Sequence, residues 1–292
     1  IKKTDVLYND IFFDDFENLI HLSQSHNGWY TPEQVYFAIN SWAEALTEEN
    51  ITKWISKYNF DANPKEKTVA LILAGNIPLV GFHDFLSVLI TGNKALIKTS
   101  SNDQHLLPFL AKYLIAVDEN LKDKITFVEG KIKHYDCVSG TATSNTARFF
   151  EYYYKDKPSI IRKNRNSVAV LNGKESKEDL EALGEDIFRY FGLGCRNVSK
   201  LFVPKDYSFD GFFEAMFKYQ DVIHYEKNAN NYDYNKVLFL MSNFKLLDNG
   251  FLTIKEDSSY ASPISSVFYE FYENIEDLQS RLEADSEQIQ CI

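Results

Sequence analysis

Cysteine is scarce in this sequence, and the patterns that mark several protein classes are missing. The 292 residues include three cysteines, Cys137, Cys195 and Cys291, which form no C-x-x-C pair, so neither a zinc site nor a redox pair is indicated. No apolar run reaches the roughly 18 residues that a membrane-spanning helix needs. The first residues are not followed by an apolar segment of the secretory type. We therefore expect a cytoplasmic protein with free thiols and no membrane span.

Basic residues are in the minority, at 31 against 42 acidic ones, and the formal net charge is −11. Such a balance disfavours nucleic-acid binding, and we expect no nucleic-acid partner. A hydrophobic content of 45% and a charged content of 25% are typical of globular proteins and exclude a disordered, collagen-like or coiled-coil chain. Aromatic residues make up 15%, so ring packing is expected to dominate the core.

The order of apolar patterns predicts an α/β protein with a helical N-terminal region. Thr31 and Thr47 each begin a segment whose apolar residues recur at helical spacing. From residue 68 onward, short apolar runs typical of strands alternate with helical segments, which favours doubly wound parallel sheets. Predicted strands cover 69–73, 95–99, 125–128, 136–139, 167–171, 200–203, 237–241, 265–269 and 288–292, and predicted helices cover 101–117, 141–154, 177–191, 209–219 and 274–283. We place a domain boundary between residues 172 and 173.

Cys195 is the sharpest candidate for catalysis. It follows a predicted helix, is bracketed by Gly192 and Gly194, and precedes Arg196. Small neighbours let a substrate approach the sulfur, and a nearby cation favours the reactive thiolate. A buried structural cysteine is the alternative, because free cysteines are among the most buried residue types.

Further candidates follow other predicted strands, where ligands bind in sheets of this kind. Asn76, in the turn after the first strand, could donate a hydrogen bond to an oxyanion. Lys98 ends the second strand, where a nucleotide ribose or phosphate would lie. Ser139, Gly140 and Thr141 join a strand to a helix, so their backbone N–H groups could hold a pyrophosphate. An ordinary turn, a lysine that reaches solvent and a plain loop are the respective alternatives.

Other catalytic patterns are absent. The sequence has no Walker loop and no G-x-S-x-G motif. Tyr-x-x-x-Lys spacings at Tyr153 and Tyr232 are expected by chance, because tyrosine is abundant. The six histidines show no metal-ligand spacing, so we predict no metal site.

Taken in order, these candidate segments resemble the aldehyde dehydrogenase superfamily. Within it, the chain is most similar to the LuxC-like fatty acyl-CoA reductases of bacterial luminescence. The resemblance runs from about residue 28 to the end and rests mainly on GNIPLVG (75–81), NKALIK (93–98) and FGLGCRNVS (191–199). It implies an aldehyde-dehydrogenase-like fold with two doubly wound Rossmann-type domains. Residues 1–172 would bind the cofactor, and residues 173–292 would carry the nucleophile and be incomplete at the C-terminal end.

The resemblance also implies a role for each candidate residue. Cys195 would be the nucleophile, and Asn76 would form the oxyanion hole together with the Cys195 backbone N–H. Lys98 would contact the adenosine ribose or its 2′-phosphate, Gly140 and Thr141 would lie against the pyrophosphate, and Ser139 would lie near the nicotinamide. The implied cofactor is NADPH and the implied substrate is a long-chain acyl-CoA or another acyl thioester. A homo-oligomer, or a complex with acyl-activating or acyl-transferring enzymes, is compatible with it.

Two departures from the superfamily refine the expected reaction. The segment 159–171 holds no Asp or Glu, and Ile161 falls where hydrolytic members carry a glutamate base. Ser259 stands where members often carry a glutamate that binds the nicotinamide ribose. Because water is poorly activated without the base, we predict a reductase that forms a fatty aldehyde through a Cys-bound acyl-enzyme. The alternatives are an NAD(P)-dependent aldehyde dehydrogenase that forms the acid, and a catalytically silent nucleotide- or acyl-binding protein.

Overall fold

The computed structural model describes residues 10–60, 65–142, 149–150, 152–242 and 244–292. The chain divides into two units, Ile1–Lys163 and Asn164–Ile292, each with a β-sheet of its own. We expected the boundary after residue 172. The strand Ser167–Val170 comes before that position, but it pairs with the second sheet and belongs to the second unit. The functional roles given to the two halves remain predictions.

Helices form the N-terminal region, as predicted. In the described residues before the first strand they are α1 (Asp10–His26), α2 (Pro32–Ala45) and α3 (Glu48–Ile55). The side chains of Thr31 and Thr47 accept hydrogen bonds from the backbone N–H groups of Gln34 and Asn50, which caps α2 and α3. Pro32 is the first residue of α2. A backbone N–H at this position has no intrahelical acceptor, so the proline removes no helical hydrogen bond.

The first unit is built on a parallel sheet. Its described strands are β1 (Thr68–Ile72), β2 (Lys94–Lys98), β3 (Ile125–Phe127), β4 (Cys137–Ala142) and β5 (Ser159–Lys163), in the spatial order β3-β2-β1-β4-β5. Helix α4 (Phe82–Ile90) connects β1 to β2, and α5 (Leu106–Val117) leads toward β3. Because neighbouring strands are parallel, the segments that follow β1, β2 and β4 lie at one edge of the sheet.

Apolar side chains between this sheet and its helices form the core of the first unit. Leu71 on β1, Ile97 on β2 and Phe85 on α4 are fully buried. Helix α1 packs against α2 and α5. The rings of Phe16 and Phe109 stack there with centroids 4.9 Å apart, which is one of the aromatic contacts expected from the composition.

The second unit has a mixed sheet. Its described strands are β6 (Ser167–Val170), β7 (Val198–Pro204), β8 (Leu246–Asp248), β9 (Thr253–Glu256) and β10 (Ser266–Tyr272), in the spatial order β6-β7-β10-β9-β8. Only the β8–β9 pair among these is antiparallel. The accompanying helices are α6 (Lys177–Phe188), α7 (Asp210–Met216), α8 (Glu226–Met241) and α9 (Ile275–Ala284). Two largely parallel sheets with connecting helices confirm the predicted α/β class.

Some predicted element boundaries were wrong. The helix expected from residue 101 begins at Leu106, because residues 101–105 form turns. β4 continues to Ala142, so no helix begins at Thr141, and residues 143–148 of that expected helix lie outside the described residues. The strand expected over 288–292 is reduced to one bridge between Ile289 and Asn166. The strand expected over 237–241 was wrong, because these residues form the end of helix α8.

An ion-pair network around the buried Lys200 joins β7, β10 and α9. Lys200 is fully buried, and its Nζ lies 2.7 Å from Oε2 of Glu270 and donates to the carbonyl of Asp257. Arg281 donates two hydrogen bonds to the same carboxylate. Burial alone would raise the pKa of Glu270, but the bonds from Arg281 and Lys200 hold this pKa below its usual range.

Removal of this carboxylate should destabilise the protein strongly. Glu270→Ala is expected to lower the free energy of unfolding by about 3 kcal/mol, because it leaves the Lys200 ammonium buried without its counter-charge. Urea unfolding measures the change. The exposed pair Lys177–Glu214 supplies a control, since Glu214→Ala should cost less than about 1 kcal/mol. Equal losses in the two variants would contradict this assignment.

Candidate active site

Asn76 lies in the loop that leaves the carboxyl end of β1. This loop approaches the exit of β2 so closely that a Cβ on Gly75 would lie 2.8 Å from the side chain of Ser100, and only glycine fits without displacing it. The N–H of Leu73 donates to the carbonyl of Lys98 at 3.0 Å, which extends the strand pairing into the loop. Asn76 itself is exposed. It therefore stands at the sheet edge where ligands are expected.

Two buried side chains hold the far side of the same loop. The hydroxyl of Tyr30 donates to the carbonyl of Ile77 at 2.9 Å, and it also interacts with the carboxyl group of Asp103. Leu79 has a φ of 56°, and its N–H bonds to Asp103. Burial raises the pKa of Asp103 to about 6, although the backbone hydrogen bonds that it accepts oppose the rise. Among the described residues, Oδ1 of Asp103 has no hydrogen-bond partner.

Lys98 closes β2 at the same edge. It is exposed, and its Nζ donates to the carbonyl of Gly130 at 2.9 Å. Because an ammonium carries three donors, Lys98 can also bind a ribose hydroxyl or a phosphate oxygen. The contacts of Lys98 are therefore compatible with its predicted role in cofactor binding, which stays a prediction.

Ser139, Gly140 and Thr141 lie inside β4, where they pair with β5 and, for Ser139 and Gly140, also with β1. The expectation that they join a strand to a helix was wrong, because pairing on both sides keeps the chain extended. A Cβ on Gly140 would lie 3.3 Å from the Cβ of Ile72, so glycine there allows close contact between strands. Their proposed cofactor contacts are untested.

A carboxylate missed from the sequence lies beside Ser139. Asp84, in the first turn of α4, accepts a hydrogen bond from the Ser139 hydroxyl at 3.4 Å. Nη1 of Arg162, on β5, donates to both carboxylate oxygens at 2.9 and 2.8 Å. Burial opposes the charge of Asp84, but the bonds from His83 and Arg162 hold its pKa below the usual range. Asp84 and Arg162 are 78 residues apart, so no local pattern marks the pair.

Cys195 follows a loop with an unusual backbone. Tyr190, Phe191 and Gly192 have φ values of 52°, 56° and 74°, so the left-handed region is occupied by two aromatic residues as well as a glycine. This conformation is costly for residues with a Cβ and persists only where the surroundings hold it. Cys195 is exposed, and it is therefore not the buried structural cysteine considered as the alternative.

Asn197 clamps this loop. Its Nδ2 donates to the carbonyls of Asp186 and Arg189, each at 2.8 Å, and its Oδ1 accepts from the N–H of Gly194 at 2.8 Å. These bonds satisfy backbone groups that an irregular helix end would otherwise leave unpaired. Sequence reasoning missed Asn197, although it stands within the 191–199 segment quoted for the resemblance.

The thiol of Cys195 is less activated than expected. Although the residue is exposed, surrounding protein atoms desolvate the thiol and raise its pKa, and the positive charge of Arg196 opposes the rise without overcoming it. The carbonyl of Cys195 accepts a hydrogen bond from the buried hydroxyl of Ser167 at 3.1 Å, which fixes the backbone next to the sulfur. Sequence reasoning missed Ser167, because a serine at the start of a strand carries no distinctive signal.

Solved structures define the fold class as aldehyde dehydrogenase-like. An indole-3-acetaldehyde dehydrogenase solved with NAD⁺ aligns with a TM-score of 0.67 over 96% of this chain and 67% of its own, at 15% identity. The aldehyde dehydrogenase KauB from Pseudomonas aeruginosa aligns with a TM-score of 0.61 over 97% and 68%, at 16% identity. Identities this low establish the fold alone, and they confirm the predicted fold class.

Sequence comparison then places the chain in a family. The model described as acyl-CoA reductase (LuxC) matches residues 50–211, more than half of the chain, so this chain belongs to that family. A segment of 59 residues is 46% identical to the long-chain acyl-protein thioester reductase of Photorhabdus laumondii subsp. laumondii. That segment is 20% of this chain but 12% of the relative's length. The predicted resemblance is confirmed.

The described residues form neither a cluster of metal ligands nor a membrane-spanning helix. In the part of the chain that the structure describes, no three or more His, Cys, Asp or Glu side chains are grouped so that they could hold a metal ion. None of the helices formed by the described residues has the length and apolar character required to cross a bilayer.

Stability should depend on pH through Asp103. A carboxyl whose pKa rises from 3.8 to about 6 on folding stabilises the folded state while protonated, and this contribution is lost as the pH rises through 6. Relative to Asp103→Asn, the wild type should therefore lose about 2 kcal/mol of unfolding free energy between about pH 4 and pH 7. Urea unfolding of both proteins across this range measures the loss. Parallel pH profiles would show that Asp103 does not titrate in this way.

Proposed function

We propose that this protein reduces a long-chain acyl thioester to a fatty aldehyde, with NADPH as the reductant and Cys195 as the covalent carrier of the acyl group. The observation that carries the proposal is the exposed Cys195 thiol on a clamped loop, within the region matched by the acyl-CoA reductase family. Because the curated relative is matched over 12% of its length, the activity of the whole protein is part of the proposal.

The first half-reaction transfers the acyl group to sulfur. The Cys195 thiolate attacks the thioester carbonyl, and a carbon–sulfur bond forms while the carbonyl becomes an oxyanion. On the family resemblance, the side-chain amide of Asn76 and the backbone N–H of Cys195 would donate hydrogen bonds to it, and loss of one such donor typically costs about 10²–10³ in rate. The oxyanion then collapses, the bond to the original sulfur breaks, and the departing thiolate takes a proton from solvent.

Residues at the carboxyl edge of the first sheet have the chemistry to hold a dinucleotide. Lys98 would offer an ammonium to the adenosine ribose or its phosphate, Ser139 would lie toward the nicotinamide, and Gly140 and Thr141 would border the pyrophosphate. When bound there, a reduced nicotinamide would supply the hydride for reduction of the acyl group, and the Cys195 thiolate would leave with the electron pair of its carbon–sulfur bond. A fold neighbour solved with NAD⁺ supports a nicotinamide dinucleotide. The preference for NADPH rests on the family resemblance.

The residues around β5 favour reduction over hydrolysis. Ile161, at the position of the glutamate base in hydrolytic relatives, packs against the apolar cluster of Ala70, Ile72 and Val138. The nearby carboxylate of Asp84 is bonded to Arg162 and has a lowered pKa, which makes it a weak base. An acyl group on Cys195 would therefore await hydride rather than be lost to water.

We propose that the acyl donor is a long-chain acyl-CoA or an acylated protein. The relative from Photorhabdus is named for an acyl-protein thioester, which supports either a long-chain acyl-CoA or an acylated protein as the donor. An acylated protein donor would make acyl-transferring enzymes the natural partners, and a homo-oligomer is compatible with either donor. We assign the reaction to the cytoplasm, and we leave the biological use of the aldehyde, in luminescence or elsewhere, outside the proposal.

A catalytically silent nucleotide- or acyl-binding protein is the second candidate. The raised pKa of Cys195 favours it, because a protonated thiol is a poor nucleophile. Slow alkylation of Cys195 at neutral pH, together with retained NADPH binding, would support this candidate.

Acyl transfer to Cys195 gives the direct test. After incubation with a radiolabelled long-chain acyl-CoA without reductant, the denatured wild-type protein should retain the label, and Cys195→Ala should retain none. Cys291→Ala is the matched control, because Cys291 is also an exposed thiol, and it should be labelled like the wild type. Equal labelling of Cys195→Ala and the wild type would overturn the proposal.

A further inference from the structure

We propose that Tyr30 and Asp103 are positioning residues that hold the Asn76 loop in the geometry of an oxyanion donor. The inference rests on the role proposed for Asn76 and adds the residues that set its position. Neither side chain contacts the substrate in this scheme. Both act on the backbone that follows Asn76, from segments that lie far from it in the sequence.

The entry to the loop is held by the sheet. The bond from the N–H of Leu73 to the carbonyl of Lys98 continues the pairing of β1 with β2. Gly75 then packs against Ser100 at a separation that leaves no room for a Cβ. The chain that leads into Asn76 therefore cannot shift toward β2.

The exit from the loop is held by side chains. Tyr30, which lies 47 residues before Ile77, donates its hydroxyl hydrogen to the Ile77 carbonyl at 2.9 Å. Asp103 accepts a hydrogen bond from the N–H of Leu79. Pro78 stands between these two contacts and has no N–H to donate. Tyr30 and Asp103 thus fix the peptide groups on both sides of the proline, directly after Asn76.

The conformation of Leu79 shows why the second contact matters. Its φ of 56° is disfavoured for a residue with a Cβ, yet its side chain is 3% exposed and its carbonyl accepts a bond from the N–H of Phe82 at the start of α4. A strained residue keeps such a conformation only while its surroundings hold it. Loss of the Asp103 contact would let Leu79 relax and would turn the segment that carries Asn76.

The burial of Asp103 indicates a purpose other than stability. The residue is 8% exposed, and its Oδ1 atom has no hydrogen-bond partner in the described part of the chain. A carboxyl in such surroundings costs the folded state stability at neutral pH. Local costs of this kind are typical of functional sites. The contact with the Asn76 loop supplies such a function.

A double-mutant cycle tests whether Tyr30 acts through Asn76. Tyr30→Phe keeps the ring and removes the hydroxyl, and it should slow acyl transfer from acyl-CoA to Cys195 about tenfold, because small displacements of a catalytic group are costly. In the Asn76→Ala background the same substitution should change the rate by less than about twofold. Tyr36→Phe is the control, since it removes a hydroxyl that donates to Glu17 in the same helical region, and it should leave the rate unchanged.

Hydrogen exchange tests whether Tyr30 and Asp103 hold the Asn76 loop, and it requires no substrate. Tyr30→Phe and Asp103→Asn should each speed amide exchange in peptides that span residues 74–82, while Tyr36→Phe should not. Exchange in peptides from β7 should be unaffected in all three variants, which shows that they fold.

The two measurements separate the possible failures. Unchanged exchange over residues 74–82 in both variants would overturn the proposal, as would an equal effect of Tyr30→Phe with and without Asn76. A wild-type protein that transfers no acyl group would refute the proposed function instead. In that case the exchange measurement would still decide whether Tyr30 and Asp103 hold the loop.

Discussion

The buried side chain of Asn197 gives the Cys195 loop its shape, and the proposed chemistry depends on it. By bonding two carbonyls at the end of α6 and the N–H of Gly194, it satisfies the backbone while Tyr190 and Phe191 turn the chain out of the helix. These bonds help to hold the strained conformations, together with the stacking of the Phe191 ring on Tyr225. A helix end is thereby converted into a fixed support for an exposed thiol.

The first unit follows the same principle, because side chains distant in sequence set the loops at its strand ends. Arg162 bonds the Asp84 carboxylate beside Ser139 and helps to lower its pKa, which makes Asp84 a weak base. Ile161, the next residue along β5, contributes only apolar packing. In the proposed reaction, a nucleophile without a strong base can form an acyl-enzyme more readily than it can hydrolyse one. This balance distinguishes a reductase from an acid-forming dehydrogenase.

Features that depend on neighbouring residues could be predicted from the sequence. The threonine caps of α2 and α3 and the apolar runs of β1 and β2 lie where local rules put them. The turn expected at Ser139–Thr141 was wrong, because β5, a strand not predicted, pairs along it. The Asp84–Arg162 pair joins residues 78 apart, and such contacts leave no local pattern. Cys195 was predicted as a candidate from its small neighbours and the motif order, and this stays a prediction, whereas the Asn197 bonds that hold its loop depend on the folded helix end.

A single-turnover experiment on the isolated acyl-protein tests whether the acyl group stays on Cys195 until a hydride donor is present. The protein is acylated with a labelled long-chain acyl-CoA, freed of excess substrate, and divided between buffer alone and buffer with NADPH. We expect that the acyl-protein persists in buffer and that NADPH releases the label as one equivalent of fatty aldehyde. Release of the label as free fatty acid, at the same rate with and without NADPH, would contradict it.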